Sequence, residues 1–213
     1  VVEGDILNQF SIDEFDNNLR VATTTNPNWG FGRMENVMVA EDNISSGVAV
    51  AAPEKAAKFQ LTNEKSIPRD TLGYNSIFVL KRKESELVAI GKIAKIGIDE
   101  RIQSARFIGK KGYLVTFKQM DPLFTLDLAN PEKPKLIGEL KIPGYSSYLQ
   151  PWGEDYLLAI GRDGSVSKTE DGFEVGSLKG VQLSMFDVKD LKNPQQVHKV
   201  AIGDIGTTSE AET

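Results

Sequence analysis

The chain has 213 residues, 40% of them hydrophobic, with a formal net charge of −5, one histidine and no cysteine. That is enough apolar material for a core in one or two domains, while the absence of cysteine excludes disulfides, thiolate metal sites and cysteine nucleophiles. No Lys/Arg cluster exceeds Lys81-Arg82-Lys83, which argues against nucleic acid as a partner; no apolar run approaches the ~20 residues of a membrane span, and no targeting signal is visible at Val1.

Gly, Pro, Asn and Asp punctuate segments of alternating β-branched and aromatic residues, which predicts strands in three groups of four. The first group covers residues 6–12, 19–25, 74–81 and 87–93. The second covers 102–108, 112–117, 122–127 and 135–141, and the third 146–150, 155–161, 179–187 and 196–202. No stretch sustains a 3.6-residue apolar period, so very little helix is expected.

The groups repeat one another. Ile77-Phe-Val-Leu-Lys81 leads through a charged turn into Leu87-Val-Ala-Ile-Gly-Lys-Ile93. Phe124-Thr-Leu-Asp127 leads through Asn130-Pro131 and Pro134 into Lys135-Leu-Ile-Gly-Glu-Leu-Lys-Ile142, and Ser184-Met-Phe-Asp187 leads through Lys192-Asn-Pro194 into Gln196-Val-His-Lys-Val-Ala-Ile202. Gly112-Tyr-Leu-Val-Thr-Phe117 aligns with Asp155-Tyr-Leu-Leu-Ala-Ile160. A strand–turn–strand unit recurring every ~45–60 residues signals a repeat architecture, and four antiparallel strands joined by short hairpins make a propeller blade; a β-sandwich is the structural alternative. The expected fold is therefore all-β, a partial β-propeller of about three four-stranded antiparallel blades forming a single domain over residues 1–213. The blades run roughly over 6–93, 102–141 and 146–202, and residues 206–213 read as the start of a further blade. Two insertions, 26–72 and 162–180, fall between the second and third strands of their blades and read as loops on one face, mobile decoration in preference to binding elements.

Across residues 97–161 the order of motifs is specific: Gly97-Ile-Asp-Glu-Arg-Ile102, Ser104-Ala-Arg-Phe107, Gly112-Tyr-Leu-Val-Thr-Phe117, Gln119-Met-Asp-Pro-Leu-Phe124 and Gly153-Glu-Asp-Tyr-Leu-Leu-Ala-Ile-Gly161. With Leu19-Arg-Val-Ala-Thr-Thr-Thr25 before it and Val181-Gln-Leu-Ser-Met-Phe-Asp187 after it, the chain resembles secreted bacterial and archaeal proteins that carry a C-terminal β-propeller distantly related to WD repeats. The resemblance covers nearly the whole chain outside the two insertions. It implies a propeller fold and an extracellular or cell-surface location, and it implies no activity. Three blades do not close a ring, for which four to eight are usual.

In a propeller the loops between second and third strands share a face with the connections between blades. That face would collect Trp29, Asp99, Glu100, Arg101, Gln119, Asp121, Tyr145, Tyr148, Arg162 and Asp163. Carboxylates, guanidinium groups and aromatic rings are what a sugar or peptide site requires, bidentate polar contacts beside stacking surfaces. The same residue types also serve a blade-to-blade hydrogen-bond network through Arg101, Arg106, Gln119 and Asp121, and that reading is the favoured one. Hydrolysis of a glycosidic bond needs two carboxylates across the bond, for which Asp99, Glu100, Asp121 and Asp163 are the candidates, but no residue is assigned as catalytic. His198 alone builds neither a zinc site nor a triad, and Asp163, Glu170, Asp171 and Glu174 lack the spacing of a calcium loop, so neither metal nor cofactor is expected. The expected function is an extracellular binding or scaffold module that presents loops on one face to a protein or carbohydrate ligand. The alternative is a carbohydrate-active or other hydrolytic enzyme using axial carboxylates. Open blade edges would favour self-association, such as a two-fold dimer.

Overall fold

A computed structural model describes residues 2–25, 72–117, 121–168, 174–204 and 207, with residues 121, 166–168 and 174–178 described by their backbone alone. Leu72 aside, these belong to one compact unit formed by Val1–Asn26 and Gly73–Thr213. The first expected insertion, up to residue 71, lies outside the described residues, as does the expected further blade at 206–213 apart from Thr207.

Twelve strands follow one another: β1 Ile12–Phe15, β2 Asn18–Thr25, β3 Tyr74–Lys83, β4 Glu86–Ile96, β5 Arg101–Ile108, β6 Lys111–Phe117, β7 Asp121–Asp127, β8 Lys135–Ile142, β9 Gly144–Trp152, β10 Tyr156–Lys168, β11 Glu174–Asp187 and β12 Gln195–Ile202. They form three four-stranded sheets with neighbours in chain order, β1–β4, β5–β8 and β9–β12, and every pairing is antiparallel. The fold is a partial β-propeller, nearly all strand. The one helical element among the described residues is the 3₁₀ turn Gln9–Ser11, opened by the Asn8 side chain, which accepts from the Phe10 N–H at 3.0 Å.

Alternation along the strands assigns each side chain to a flank. On the second sheet Phe107, Leu114, Phe124 and Leu126 face the first sheet and pack with Ala22, Ile77 and Ile96. Their neighbours Tyr113, Val115 and Leu123 face the third sheet and pack with Leu149, Leu157, Ala159 and Phe186. The second sheet is thus covered on both faces, which is why its strands read as nearly continuous apolar runs.

The structure moves four sequence expectations. Residues 6–12 do not form a strand: Asp5 makes an isolated bridge to Thr24, the 3₁₀ turn follows, and β1 starts at Ile12. Residues 162–180 are not a plain loop, because β10 and β11 run on as a paired ladder from Gly164↔Leu178 to Lys168↔Glu174, five pairs beyond the last β9–β10 pair at Asp163↔Gly144. The repeat is offset by two residues, since Lys111 pairs Asp127 as Tyr156 pairs Asp187, so that Tyr113 corresponds to Leu158 and not to Tyr156. A two-residue slip keeps every side chain on its own face and so leaves the pattern looking correct. Finally, the turn after β7 matches the turn after β11 as Asn130-Pro131 to Asp190-Leu191, not to Asn193-Pro194. Asp127 and Asp187 each accept the N–H two residues on, Asn130 and Asp190 do the same, and the N–H of Lys133 and of Asn193 donates to the carbonyl of Asn130 and of Asp190. The Asn193 amide and the Lys192 N–H, both donating, hold the Asp190 carboxyl below its ordinary range.

These turns are the joints between sheets. A Cβ at Gly91 of β4 would run into the Pro131 carbonyl oxygen, and a Cβ at Gly138 of β8 would run into the Leu191 carbonyl oxygen. Thr125, the cross-strand partner of Gly138, donates its hydroxyl to that same Leu191 oxygen. The first and second sheets therefore each offer a glycine socket to the turn of the sheet that follows. Gly138→Ala should cost about 1–3 kcal/mol through forced separation of the second and third sheets, seen as a lowered thermal midpoint by circular dichroism, and Gly91→Ala should behave alike.

Tyr113 reports on the core between the second and third sheets. Burial, reinforced by the Asp155 carboxylate, pushes its phenol up to about 12. A raised folded-state value means that stability is intact below the unfolded value of 10.0 and is lost as pH rises toward about 12. Urea midpoints measured between pH 9 and 12 should fall over that window, and Tyr113→Phe should flatten the fall.

Candidate functional site

The end of the sheets expected to carry ligand contacts is built first by the connection from β4 to β5. Lys95, Gly97 and Asp99 all adopt left-handed backbone, with φ of 61°, 53° and 62°, so the chain turns sharply between the first and second sheets. Asn75, fully buried on β3, anchors this bend from within. Its amide nitrogen lies within 3.3 Å of the carbonyls of Ile96, Gly97 and Glu100, and its oxygen accepts from the Thr24 hydroxyl at 2.7 Å. The Ile102 N–H in turn donates to Thr24 Oγ1 at 3.4 Å. Glu100 is drawn into the same arrangement, its carboxylate accepting from the Thr116 hydroxyl on β6.

The second part is the root of the β10–β11 hairpin. A Cβ at Gly161 would strike the Tyr145 carbonyl oxygen, and one at Gly144 would strike the carbonyl oxygen of Arg162 and lie 2.8 Å from the Gly164 nitrogen. Three glycines thus let β9 and β10 pass closer than any side chain permits. Arg162 Nη2 donates to the Lys179 carbonyl at 3.0 Å across the hairpin, and its Nε is buried without a partner. Asp163 forms an ion pair with Lys199 of β12.

Between these parts runs a line across two sheets. Arg101, exposed, pairs with Phe117 across β5 and β6; the Phe117 ring lies 5.1 Å from the Tyr145 ring at the start of β9; and Tyr145 pairs with Arg162. The structure therefore brings together Glu100, Arg101, Tyr145, Arg162 and Asp163 at one end of the second and third sheets. Tyr148 is not among them: it sits further along β9, its ring edge-on to Phe10 at 5.7 Å and its hydroxyl donating to Gln150 at 2.7 Å. Trp29 and Gln119 lie outside the described residues, and Asp121 is placed by its backbone as the partner of Ile142.

Contacts between the sheets are present among the described residues. Ser104 Oγ donates to the Ser146 carbonyl at 2.8 Å, linking the second and third sheets, and Arg106 lies 4.5 Å over the Phe10 ring. Buried Arg20 bonds Asp13 and the Gly109 carbonyl and lies over the rings of Phe15 and Phe107 at 5.0 and 5.2 Å, joining first sheet to second. Asn75, Thr116 and Phe117 were missed by sequence reasoning because each lies inside a strand where nothing distinguishes it. The cluster of Gly144, Gly161 and Gly164 was a visible signal of a close crossing. Among the described residues no group of three or more His, Asp or Glu is placed to hold a metal ion, and no helix is long and apolar enough to cross a membrane.

Three stacked four-stranded antiparallel sheets with their inter-sheet connections gathered at one end define a propeller-type domain. The family model for the beta propeller domain matches residues 1–213, and the chain belongs to that family. An uncharacterised protein of Methanocaldococcus jannaschii is 36% identical over 198 residues, covering 93% of this chain and 23% of its own length. An uncharacterised protein of Archaeoglobus fulgidus is 36% identical over 198 residues, covering 93% of this chain and 22% of its own length. The chain spans less than a quarter of the length of these curated relatives. No solved structure matches.

The anchoring of the 97–100 bend is open to test. Asn75→Ala leaves the Ile96, Gly97 and Glu100 carbonyls without their donor and should cost about 2 kcal/mol. Hydrogen exchange should then speed up first at Asp99 and Glu100, whose amides bond Gly73 and Gly97.

Proposed function

We propose that the chain is an extracellular binding module, and that its recognition surface is the end of the sheets where Arg101, Phe117, Tyr145 and Arg162 line up beside the β10–β11 hairpin. The observation that carries this reading is the combination of that line with a rooted hairpin. Among the described residues, five pairs of the hairpin have no strand beside them other than each other, which leaves both edges of the ladder for pairing or contact. Rigid sheets that project a few adaptable elements from one end are a common way to present an interaction surface. An exposed arginine on the same end as a pair of aromatic rings suits either a carboxylate-bearing peptide or a sugar. The extracellular placement rests on the resemblance to secreted proteins. Of the carboxylates that a hydrolytic reading would use, Glu100 accepts from Thr116 and Asp163 pairs with Lys199, and no observation favours that reading over binding.

The test is to screen soluble oligosaccharides and extracellular protein fractions against immobilised chain, then titrate each hit against Arg101→Ala and Tyr145→Ser. A ligand of this end should bind at least about tenfold more weakly to both variants, a change of roughly 1.4 kcal/mol, with thermal midpoints within a few degrees of the parent. Hits that bind both variants at parental affinity would move the site elsewhere. Biotinylation of intact cells with an impermeant reagent checks the placement, and a chain labelled only after lysis would overturn it.

A further inference from the structure

Two departures from regular strand geometry deliver aromatic rings to one place. Asp5 pairs with Thr24 of β2 and Ile12 with Val21, yet residues 6–11 between them leave the sheet edge and turn through the 3₁₀ element Gln9–Ser11. The excursion does not fill the core. It leaves Ile6 and Leu7 exposed, and the half-buried Phe10 joins neither apolar cluster between the sheets. Its ring lies instead under the Arg106 guanidinium at 4.5 Å and edge-on to Tyr148 of β9 at 5.7 Å. Tyr148 arrives through the second departure, the register shift that leaves Ser147 unpaired. Bulges of this kind re-aim a side chain, and they gather beside functional sites.

Arg106 is the chemical centre of this cluster. Arg20 donates to Asp13 and the Gly109 carbonyl, Arg82 to the Glu84 carbonyl and Arg162 to the Lys179 carbonyl. Arg106, half-buried, has a ring under its face and, among the described residues, no acceptor at its N–H edge. Stacking on a ring engages only the face of a guanidinium and leaves its fork of donors in the plane. Gln150, two residues beyond Tyr148 on β9 and also half-buried, is already oriented. Its Oε1 accepts from the Tyr148 hydroxyl at 2.7 Å, so its amide N–H groups point elsewhere, and among the described residues they meet no acceptor.

We infer that Arg106, Gln150 and the Phe10–Tyr148 ring pair form a binding site for a hydroxy-carboxylate, the head group that free hydroxy acids and sugar acids share. The Arg106 edge takes the carboxylate in a bidentate fork, and the Gln150 amide donates to the hydroxyl oxygen. Phe10 fixes the guanidinium plane beforehand, so that little ordering is left for the ligand to impose. The site is separate from the end proposed for recognition and uses neither Arg101 nor Arg162.

The test is titration of the chain with glucuronate, lactate, propionate and glucose, followed by NMR at the arginine Nε–H and glutamine amide signals. The Arg106 signal, identified by its loss in Arg106→Gln, should shift saturably with glucuronate and lactate, more weakly with propionate, and not with glucose. Tighter binding of glucuronate than of lactate assigns a sugar acid, and the reverse assigns a free hydroxy acid. Arg106→Gln should weaken binding about tenfold or more at the Gln150 amide signal. Arg82→Gln, which removes the same charge from an exposed hairpin, should leave it unchanged. Should Arg106→Gln lower the thermal midpoint, Gln150→Ala serves in its place: it leaves the guanidinium on Phe10 and should reduce both acids to the affinity of propionate. Shifts that do not saturate, shifts that Arg82 shares, propionate binding as tightly as lactate, or parental affinity in Arg106→Gln would each overturn the site.

Discussion

A four-stranded sheet that is apolar on both faces cannot leave either face in water, and the rest of this structure follows from that constraint. The second sheet meets it fully. Phe124 and Leu126 turn to the first sheet, Leu123 turns to the third, and all three are at most 6% exposed although they lie within four residues of one another. A sheet of this kind cannot stand alone, so stability resides in the stack and in the joints that keep adjacent sheets in step. The turn carbonyls seated on Gly91 and Gly138 are those joints. They set the distance between outer strands, while the apolar flanks supply the free energy.

Polar groups do a second job at the same interfaces. Arg20, Asn75 and Ser104 are each at most 3% exposed, and each bonds a backbone carbonyl or a carboxylate on a neighbouring strand, turn or sheet. A buried polar group without its partner costs more than the partnered group contributes, so these side chains specify which sheet lies next and in what register. The end proposed for recognition begins where this structural duty thins out. Glu100 and Asp163, promising carboxylates in the sequence, are held by Thr116 and Lys199. The line of Arg101, Phe117 and Tyr145 has an exposed guanidinium and a half-buried ring pair, the mixture of polar and apolar faces from which recognition surfaces are made.

Eleven of the strands were legible because a period of two survives translation into sequence: Leu123-Phe124-Thr125-Leu126 states its two-faced burial outright. The first strand was not, because residues 6–12 have the composition of a strand and the position of one, yet Asn8 caps a 3₁₀ turn that places Phe10 against Tyr148 and Arg106. Side-chain capping of a three-residue turn leaves no periodicity to detect. The 162–180 segment misled in the opposite sense. Gly, Ser and acidic residues read as loop, but paired only to each other the two strands need no apolar face and show no alternation. The gathering of Glu100, Arg101, Tyr145, Arg162 and Asp163 at one end followed from topology alone. The displacement of Tyr148 did not, because it depends on the bulge at Ser147, an unpaired residue between Ser146↔Gly161 and Tyr148↔Ile160.

The joints explain why the repeat was recognised and yet misaligned. The seated atom is a backbone oxygen, so the residue that carries it is free to change, Pro131 in one turn and Leu191 in the other. What the turn must keep is its internal hydrogen bonding, an Asp at 127 or 187 and a side-chain acceptor at 130 or 190. Asn and Asp both meet the second demand, which lets the familiar Asn-Pro pair drift three residues along without altering the turn. The receiving position has no such freedom, because only a missing Cβ admits the oxygen. In a repeat joined through backbone, identity concentrates in the socket and not in the part that fills it, and Gly91 and Gly138 are the residues by which the first two sheets should be aligned.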